Sequence, residues 1–341
     1  MDLFAIPENP IPDGAILAEL TTRDGASLRA IRWAGGAQPR GTVVVLPGRA
    51  EFIEKHFETV SELRERGFAV VALDWRGQGL SERQLRNRRK GHIDDFEIYE
   101  RDLVALREQI LEALCPRPWF ALGHCMAAAI LIAQARAGRS PFARIVVTSP
   151  MIDLYRLRFK AGARFFVEGL DIIGLGGAYI PGGHGRSIFL RPFSENVLTS
   201  DPARHARTVA ILDAAPELAI GDPTIGWTNA AFRLMRQFED PDYARRTLAP
   251  ILVIAAGADR MVSTPAIELF ASRLKAARFI TIPYARHDIL AEREPFRSQF
   301  WAAFDAFIPG AEDALATSLL SMQEPRRRAR RFWPWASAAA S

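Results

Sequence analysis

The sequence predicts an α/β protein, a mostly parallel sheet flanked by helices and interrupted by a mainly helical insertion. Three observations carry this. Short continuous apolar runs rich in β-branched residues recur at Thr42 to Leu46, Phe68 to Leu73, Trp119 to Gly123 and Ile145 to Thr148, as strands buried on both faces require. Segments with helical spacing of apolar residues separate them, the βαβ rhythm of a parallel sheet. The rhythm breaks at Ser149-Pro150 and resumes at Ile251, and no buried strand is recognisable between them.

Taken in order, residues 16–22 and 28–33 alternate apolar and polar around Arg23-Asp24-Gly25, a hairpin signal. The run 42–46 stops at the loop Pro47-Gly48-Arg49-Ala50-Glu51, and residues 55–66 read as an amphipathic helix ended by Gly67. After the strand at 68–73 comes a second glycine-punctuated loop, Asp74-Trp75-Arg76-Gly77-Gln78-Gly79, then a charged amphipathic helix over 95–114. The strand at 119–123 leads into a long Ala-rich helix, 126–137. Strands at 251–255 and 278–282 and helices at 265–275 and 293–307 complete the pattern. The expected organisation is one discontinuous core (1–149 and 248–310), a cap or lid insertion (150–247) and a basic C-terminal tail (311–341). The insertion follows a strand's C-terminal end, where open α/β sheets place ligands, so it is well placed to be a lid. Its glycines around Gly174-Leu175-Gly176-Gly177 follow no buried strand and precede no Lys-Ser/Thr pair, so they suit a lid turn and not a phosphate loop.

Three chemically capable residues fall just past three of these strands. Cys125 follows 119–123 at a sharp strand-to-helix join, Gly123-His124-Cys125-Met126-Ala127. Asp259 follows 251–255, and His287 follows 278–282. The chain order nucleophile, acid, histidine is that of a hydrolase triad on a parallel sheet. A thiol must lose its proton to attack a carbonyl, and an imidazole takes that proton. A carboxylate on the other ring nitrogen holds the tautomer. Backbone N–H groups of Met126 and Arg49 would face the developing oxyanion. Each residue alone has a plainer reading: a buried small Cys, a turn-forming Asp, a surface His. Their joint placement favours the catalytic one.

With these stretches in view, the chain resembles the monoacylglycerol lipase and lysophospholipase branch of the α/β-hydrolases. The matching segments are 46–51, Asp74 to Ser81, Gly91-His92 with Phe96, the elbow, Ala256 to Val262 and Ala285 to Asp288, spread over residues 16–308. In the insertion, Thr199-Ser200-Asp201 and Pro223 to Trp227 look like the family's cap. The resemblance implies hydrolysis of a single-chain lipid ester under a lid, without cofactor or metal. It implies Cys125 as nucleophile, Asp259 as acid, His287 as base, Arg49 and Met126 as oxyanion donors, and substrate contacts at Gly48, His124, Trp227 and Phe166. The insertion's aromatic residues, Phe166 and Trp227 among them, are either the cap's own core or the wall of an acyl tunnel.

The family's nucleophile is serine, and its second elbow glycine is here Ala127. Three readings of Cys125 stay open: a working Cys-His-Asp enzyme, a Ser-to-Cys change that slows ester turnover, and a lipid-binding protein without catalysis. A thioester intermediate also admits acyl transfer beside hydrolysis.

Composition narrows the setting. The chain has two cysteines, and about 15 Å of intervening strand between Cys115 and Cys125 precludes a disulfide, so a reducing, cytoplasmic compartment is expected. No apolar run reaches the roughly 18 residues of a membrane span. The residues Met1 to Gly14 do not read as a secretory signal. Of the net charge of +5, five arginines against Glu324 put +4 in residues 324–341. Arg326, Arg327, Arg328, Arg330 and Arg331 beside Trp333 and Trp335 suit peripheral contact with an anionic membrane face, and the near-neutral remainder argues against nucleic acid.

Overall fold

In the computed structural model, residues 2–157 and 159–310 are described, the last two by backbone alone. The tail, including Arg326 to Trp335, lies outside the described residues. The eight strands are β1 (Ala15–Thr21), β2 (Ser27–Trp33), β3 (Thr42–Leu46), β4 (Ala69–Leu73), β5 (Trp119–His124), β6 (Arg144–Thr148), β7 (Ile251–Ala256) and β8 (Ala277–Ile282). They form one sheet in the order β1-β2-β4-β3-β5-β6-β7-β8. The β1–β2 and β2–β4 pairings are antiparallel and the remainder parallel. All residues of β3, β4, β5, β6 and β7 are buried, as the apolar runs foretold.

The helices that flank the sheet are α1 (Phe57–Glu65), α2 (Ile98–Leu106, continued by a π turn over Arg107–Leu111) and α3 (Met126–Arg136). Later come α4 (Lys160–Leu170), α5 (Pro202–Ala214), α6 (Ile225–Glu239), α7 (Thr264–Ala271) and α8 (Glu294–Asp305). Between β6 and β7 the regular elements among the described residues are helices, joined by loops with isolated bridges such as Tyr179 with Thr224. Asp201 and Thr224 cap α5 and α6, their side chains accepting backbone N–H groups of the first turn.

The expected elements recur with shifted ends. The expected helix at 55–66 opens with a 3-10 turn over Ile53–His56, and the expected helix at 265–275 ends at Ala271.

The Asp74 to Ser81 stretch has a structural task. Asp74 Oδ1 accepts the Ile53 N–H at 3.0 Å, and its Oδ2 accepts the Leu80 N–H at 2.8 Å. Arg29, wholly buried, reaches Asp74 at 2.6 Å and Glu54 at 2.7 Å. Gly79 sits at φ +56 with its α-carbon so close that an added Cβ would lie 2.0 Å from the Asp74 carboxylate, which is why glycine stands there. From the same stretch, Trp75 Nε1 donates to the Pro47 carbonyl at 2.9 Å, and Gln78 Nε2 donates to the Gly48 carbonyl at 2.7 Å. The motif thus holds the Pro47–Glu51 loop in place.

Candidate active site

Cys125 occupies a strained position. Its φ of 50° and ψ of −105° lie in a region that non-glycine residues rarely enter, at the tip of the β5–α3 turn. The surroundings fix it there. The Cys125 N–H donates to the Thr148 carbonyl at 3.0 Å, and its own carbonyl accepts the Met151 N–H at 3.1 Å. A Cβ on Gly123 would come 2.6 Å from Leu131 and 3.2 Å from the Ala128 nitrogen, so helix and strand approach as closely as glycine allows. Ala127 is completely buried, its methyl packed within the core between sheet and helices.

The loops after β7 and β8 bring Asp259 and His287 together. Nδ1 of His287 donates to Asp259 Oδ2 at 2.8 Å, with both side chains buried. Asp259 Oδ1 accepts the N–H groups of Met261 at 2.7 Å and Val262 at 3.0 Å, which locks the carboxylate. Burial of Asp259 opposes its ionisation, but His287 and these backbone donors outweigh it and hold the carboxyl below its usual value. Burial likewise opposes protonation of His287, yet Asp259 and the hydrogen-bonded Cys125 outweigh it and raise the imidazole well above its ordinary value. Ser149, another positive-φ residue, donates its hydroxyl to the His287 carbonyl at 2.8 Å and sets the histidine loop.

The His124 ring lies beside that of His287, centroids 4.7 Å apart and planes tilted by 59°, and shares a hydrogen bond with Thr148 Oγ1 at 3.0 Å. Burial pushes its pKa down to about 4, so it adds no second charge beside the imidazolium. Glu51 and Asp288 lie close by, and the Lys55 ammonium sits 2.7 Å from the first and 2.6 Å from the second. Glu51, His124 and Asp288 are near enough to one another to hold a metal ion, but Lys55 already supplies a cation to both carboxylates.

Gly48 approaches the elbow directly. A Cβ there would lie 2.9 Å from the His124 ring, 3.2 Å from Glu51 and 3.4 Å from the Cys125 Cβ. Gly48→Ala is therefore expected to push the Arg49 loop away from Cys125 and cut ester turnover at least tenfold with little loss of stability, measured by steady-state kinetics beside thermal unfolding. Among the described residues the backbone N–H groups of Arg49 and Met126 have no hydrogen-bond partner.

A cavity of about 260 Å³ opens over Cys125 and His287. Its walls are mostly apolar, with Phe189, Trp227, Phe232 and Met235 from the span between β6 and β7. Arg49 and His124 also line it. Of the sequence-derived contacts, Phe166 is a correction: its side chain is 54 % exposed on the outer side of α4 and does not line the cavity. Phe159 and Phe165, 83 % and 80 % exposed, also lie outside any core. Aromatic content could not tell which side of the helix these rings occupy. Residues that sequence reading missed are Gln78, Ser149 and Lys55, each acting through backbone or charge contacts that only the folded chain creates. His92 is explained as well. Its ring bonds the α6 cap residue Thr224 at 2.8 Å, and a Cβ on Gly226 would lie 2.6 Å from it.

A sheet in this order, with Cys125 at the sharp turn after β5 and Asp259 and His287 in the loops after β7 and β8, has the arrangement of an α/β-hydrolase. Comparisons agree. The family model described as serine aminopeptidase, S33 (Hydrolase_4) matches residues 37–294. Lysophospholipase L2 of Escherichia coli K12 is 30% identical over 301 residues, spanning 82% of this chain and 84% of that protein. The monoacylglycerol lipase of Mycolicibacterium smegmatis is 22% identical over 264 residues, 77% of this chain and 86% of the other. Among solved structures, a Bacillus coagulans carboxyl esterase aligns with a TM-score of 0.70 at 18% identity, covering 87% of this chain and 99% of its own. A soluble variant of the Saccharomyces cerevisiae monoglyceride lipase aligns at 0.66 and 17%, covering 85% and 94%. The chain belongs to the Hydrolase_4 family of α/β-hydrolases, in its lysophospholipase and monoacylglycerol lipase branch.

Proposed function

We propose that the protein hydrolyses the ester of a single-chain lipid through an acyl-enzyme on Cys125, with residues 150–247 as the cap over the site. The observation that carries this reading is the Cys125–His287–Asp259 set at the floor of an apolar cavity. The Cys125 sulfur attacks the ester carbonyl, and the oxyanion is held by the Arg49 and Met126 N–H groups. The His287 imidazolium gives its proton to the departing alcohol, leaving a thioester. Neutral His287 then takes a proton from water, whose oxygen attacks the thioester. The acid leaves and the proton remains on His287, which restores the starting pair. Asp259 keeps the ring oriented throughout.

Arg49 supports a phosphate-bearing head group, a lysophospholipid, over a neutral monoacylglycerol. Its guanidinium lines the cavity, donates to the Gly221 carbonyl at 2.9 Å and lies 5.0 Å from the centre of the Trp227 ring. Its Nε is buried without a hydrogen-bond partner, and no carboxylate pairs with it among the described residues. Burial lowers its pKa to about 10, which still leaves it cationic near neutrality. Arg49→Ala is expected to lower the ratio of kcat/KM on lysophosphatidylglycerol to that on monoacylglycerol of the same chain roughly tenfold, with Arg49→Lys restoring part of it. An unchanged ratio would remove the head-group assignment and leave the esterase reading standing. The esterase reading itself is tested by assaying p-nitrophenyl esters and lysolipids with the wild type, Cys125→Ala and Cys125→Ser. It predicts turnover by the wild type that Cys125→Ala loses. Absence of turnover from both wild type and Cys125→Ser would point to a binding protein.

A further inference from the structure

Helix α6 borders a second cavity, of about 380 Å³, a volume within the range of small-molecule sites. Its other walls are the core helices α2 and α3, with Leu103 from the first and Ile130 and Ala133 from the second. The α6 residues Ala230, Leu234 and Gln237 line it. They fall on a different side of the helix from Ala231, Phe232 and Met235, which line the catalytic cavity. Phe96 is the partition between the two. It lines the second cavity and packs on Trp227, which lines the first, ring centroids 5.5 Å apart.

Two polar side chains of this lining lack protein partners. Gln134 is 5 % exposed, its Oε1 is buried without a hydrogen-bond partner, and its amide makes no other hydrogen bond among the described residues. A buried amide left so is costly unless a group in the cavity pairs with it. Arg136, two residues on, has its Nε buried and unpartnered. Its guanidinium lies 5.4 Å from the centre of the Tyr243 ring and forms no ion pair among the described residues. The other lining arginines are already engaged, Arg139 with Glu100 and Arg233 with Asp95. Glu97 has no such partner, but it is exposed and water solvates its charge. The partly buried, unpaired cation is therefore the group that sets the sign of a ligand.

We infer that this second cavity binds a single-chain carboxylic acid, its carboxylate held by Arg136 and Gln134 and its chain laid along Phe96, Leu103, Ile130 and Leu234. The Nε of a guanidinium and the adjacent Nη offer a carboxylate two parallel N–H bonds, and a carboxamide turned by 180° adds its Nε2 as a third donor. The four apolar side chains suit a hydrocarbon chain. Occupation would tie α6 to α2 and α3 and reach the catalytic cavity through the Phe96–Trp227 contact. The ester cleavage proposed above releases such an acid, so the site would report product to the enzyme. That coupling rests on the esterase reading, whereas the binding does not.

The test is equilibrium dialysis of the full chain against radiolabelled laurate below its micelle-forming concentration. Arg136→Met, Gln134→Leu and the cavity-filling Ala133→Phe are each expected to bind one equivalent fewer than the wild type, or to hold that equivalent at least tenfold more weakly. The difference is what is read, so a further laurate in the catalytic cavity leaves the result intact. Loss in Ala133→Phe assigns the volume, since both polar groups remain. Loss in Arg136→Met assigns the charge. Dodecanol, with the same chain and no charge, should displace the equivalent at least tenfold less well than laurate does. Circular dichroism and the unfolding midpoint show that the variants are folded. Undiminished laurate binding by all three folded variants would overturn the assignment, and so would dodecanol competing as well as laurate. With p-nitrophenyl acetate as substrate, laurate should change kcat as well as KM in the wild type and KM alone in Arg136→Met. A change in KM alone in both would overturn the coupling.

Discussion

His287→Ala is expected to lower ester turnover by at least three orders of magnitude, with the fold retained. The expectation follows from the two steps that the proposed mechanism gives the ring, protonating the leaving alcohol and drawing the proton from the incoming water. Among the described residues no other side chain is placed to replace it. His124, 4.7 Å away ring to ring, is tied to Thr148 and held neutral by burial. Losses of this order accompany removal of one member of a nucleophile-histidine-acid set, because the set acts as a unit. Without the imidazole the leaving alcohol lacks its acid. Steady-state kinetics beside circular dichroism of the variant checks the result.

The same ring sets the pH dependence. His287 has a raised folded pKa, so its pairing with Asp259 contributes stability that is complete below the ordinary histidine value and lost as pH rises through the raised one. Acylation needs the imidazolium, so kcat/KM should fall over that same alkaline range. Asp259 is depressed below its usual 3.8, so its contribution is present above that value and is lost only as pH falls through the lower folded pKa. In Cys125→Ser the sulfur no longer supports the imidazolium. Serine also needs a neutral base, so activity in that variant should instead rise with pH through the histidine's titration.

The largest expected loss of stability is that of Arg29→Met. The arginine lies wholly buried between Glu54 and Asp74, and its removal leaves two carboxylates facing each other without their cation. Burial already pushes the Glu54 pKa upward, and Asp74 adds to that push. Breaking such a group by deleting one partner costs about 3–5 kcal/mol. The shift in urea midpoint at constant slope measures it. Activity should fall with it, because Asp74 anchors Ile53 and Leu80 on either side of the stretch that holds the Gly48–Glu51 loop.

These two regions differ in how far the sequence discloses them. The strands β3 to β7 are legible because a strand buried on both faces has to be an unbroken apolar run, and the residues past β5, β7 and β8 then fall at one edge of a parallel sheet. The positions of Cys125, Asp259 and His287 follow from that rule alone. Pairing order is less legible: nothing in the β2 sequence says that it lies antiparallel to β4, away from β3. The Arg29–Glu54–Asp74 and Glu51–Lys55–Asp288 groups are invisible for a related reason. Apart from Glu51 and Lys55, their members are 20 to 237 positions apart, and a charged residue in sequence looks the same whether it meets water or a buried partner. Phe166 was misplaced because α4 carries apolar residues on both sides, so periodicity alone does not tell the core face from the bare one.

The most direct measurement is intact-protein mass spectrometry after brief incubation with a p-nitrophenyl ester, followed by peptide mapping. A Cys125 acyl-enzyme predicts one added acyl group, mapped to Cys125, released by hydroxylamine and absent from Cys125→Ala. Cys115, whose thiol pKa is raised by burial, should stay unmodified. Release of p-nitrophenol that continues unchanged in Cys125→Ala, with no acyl group on Cys125 in the wild type, would contradict the account.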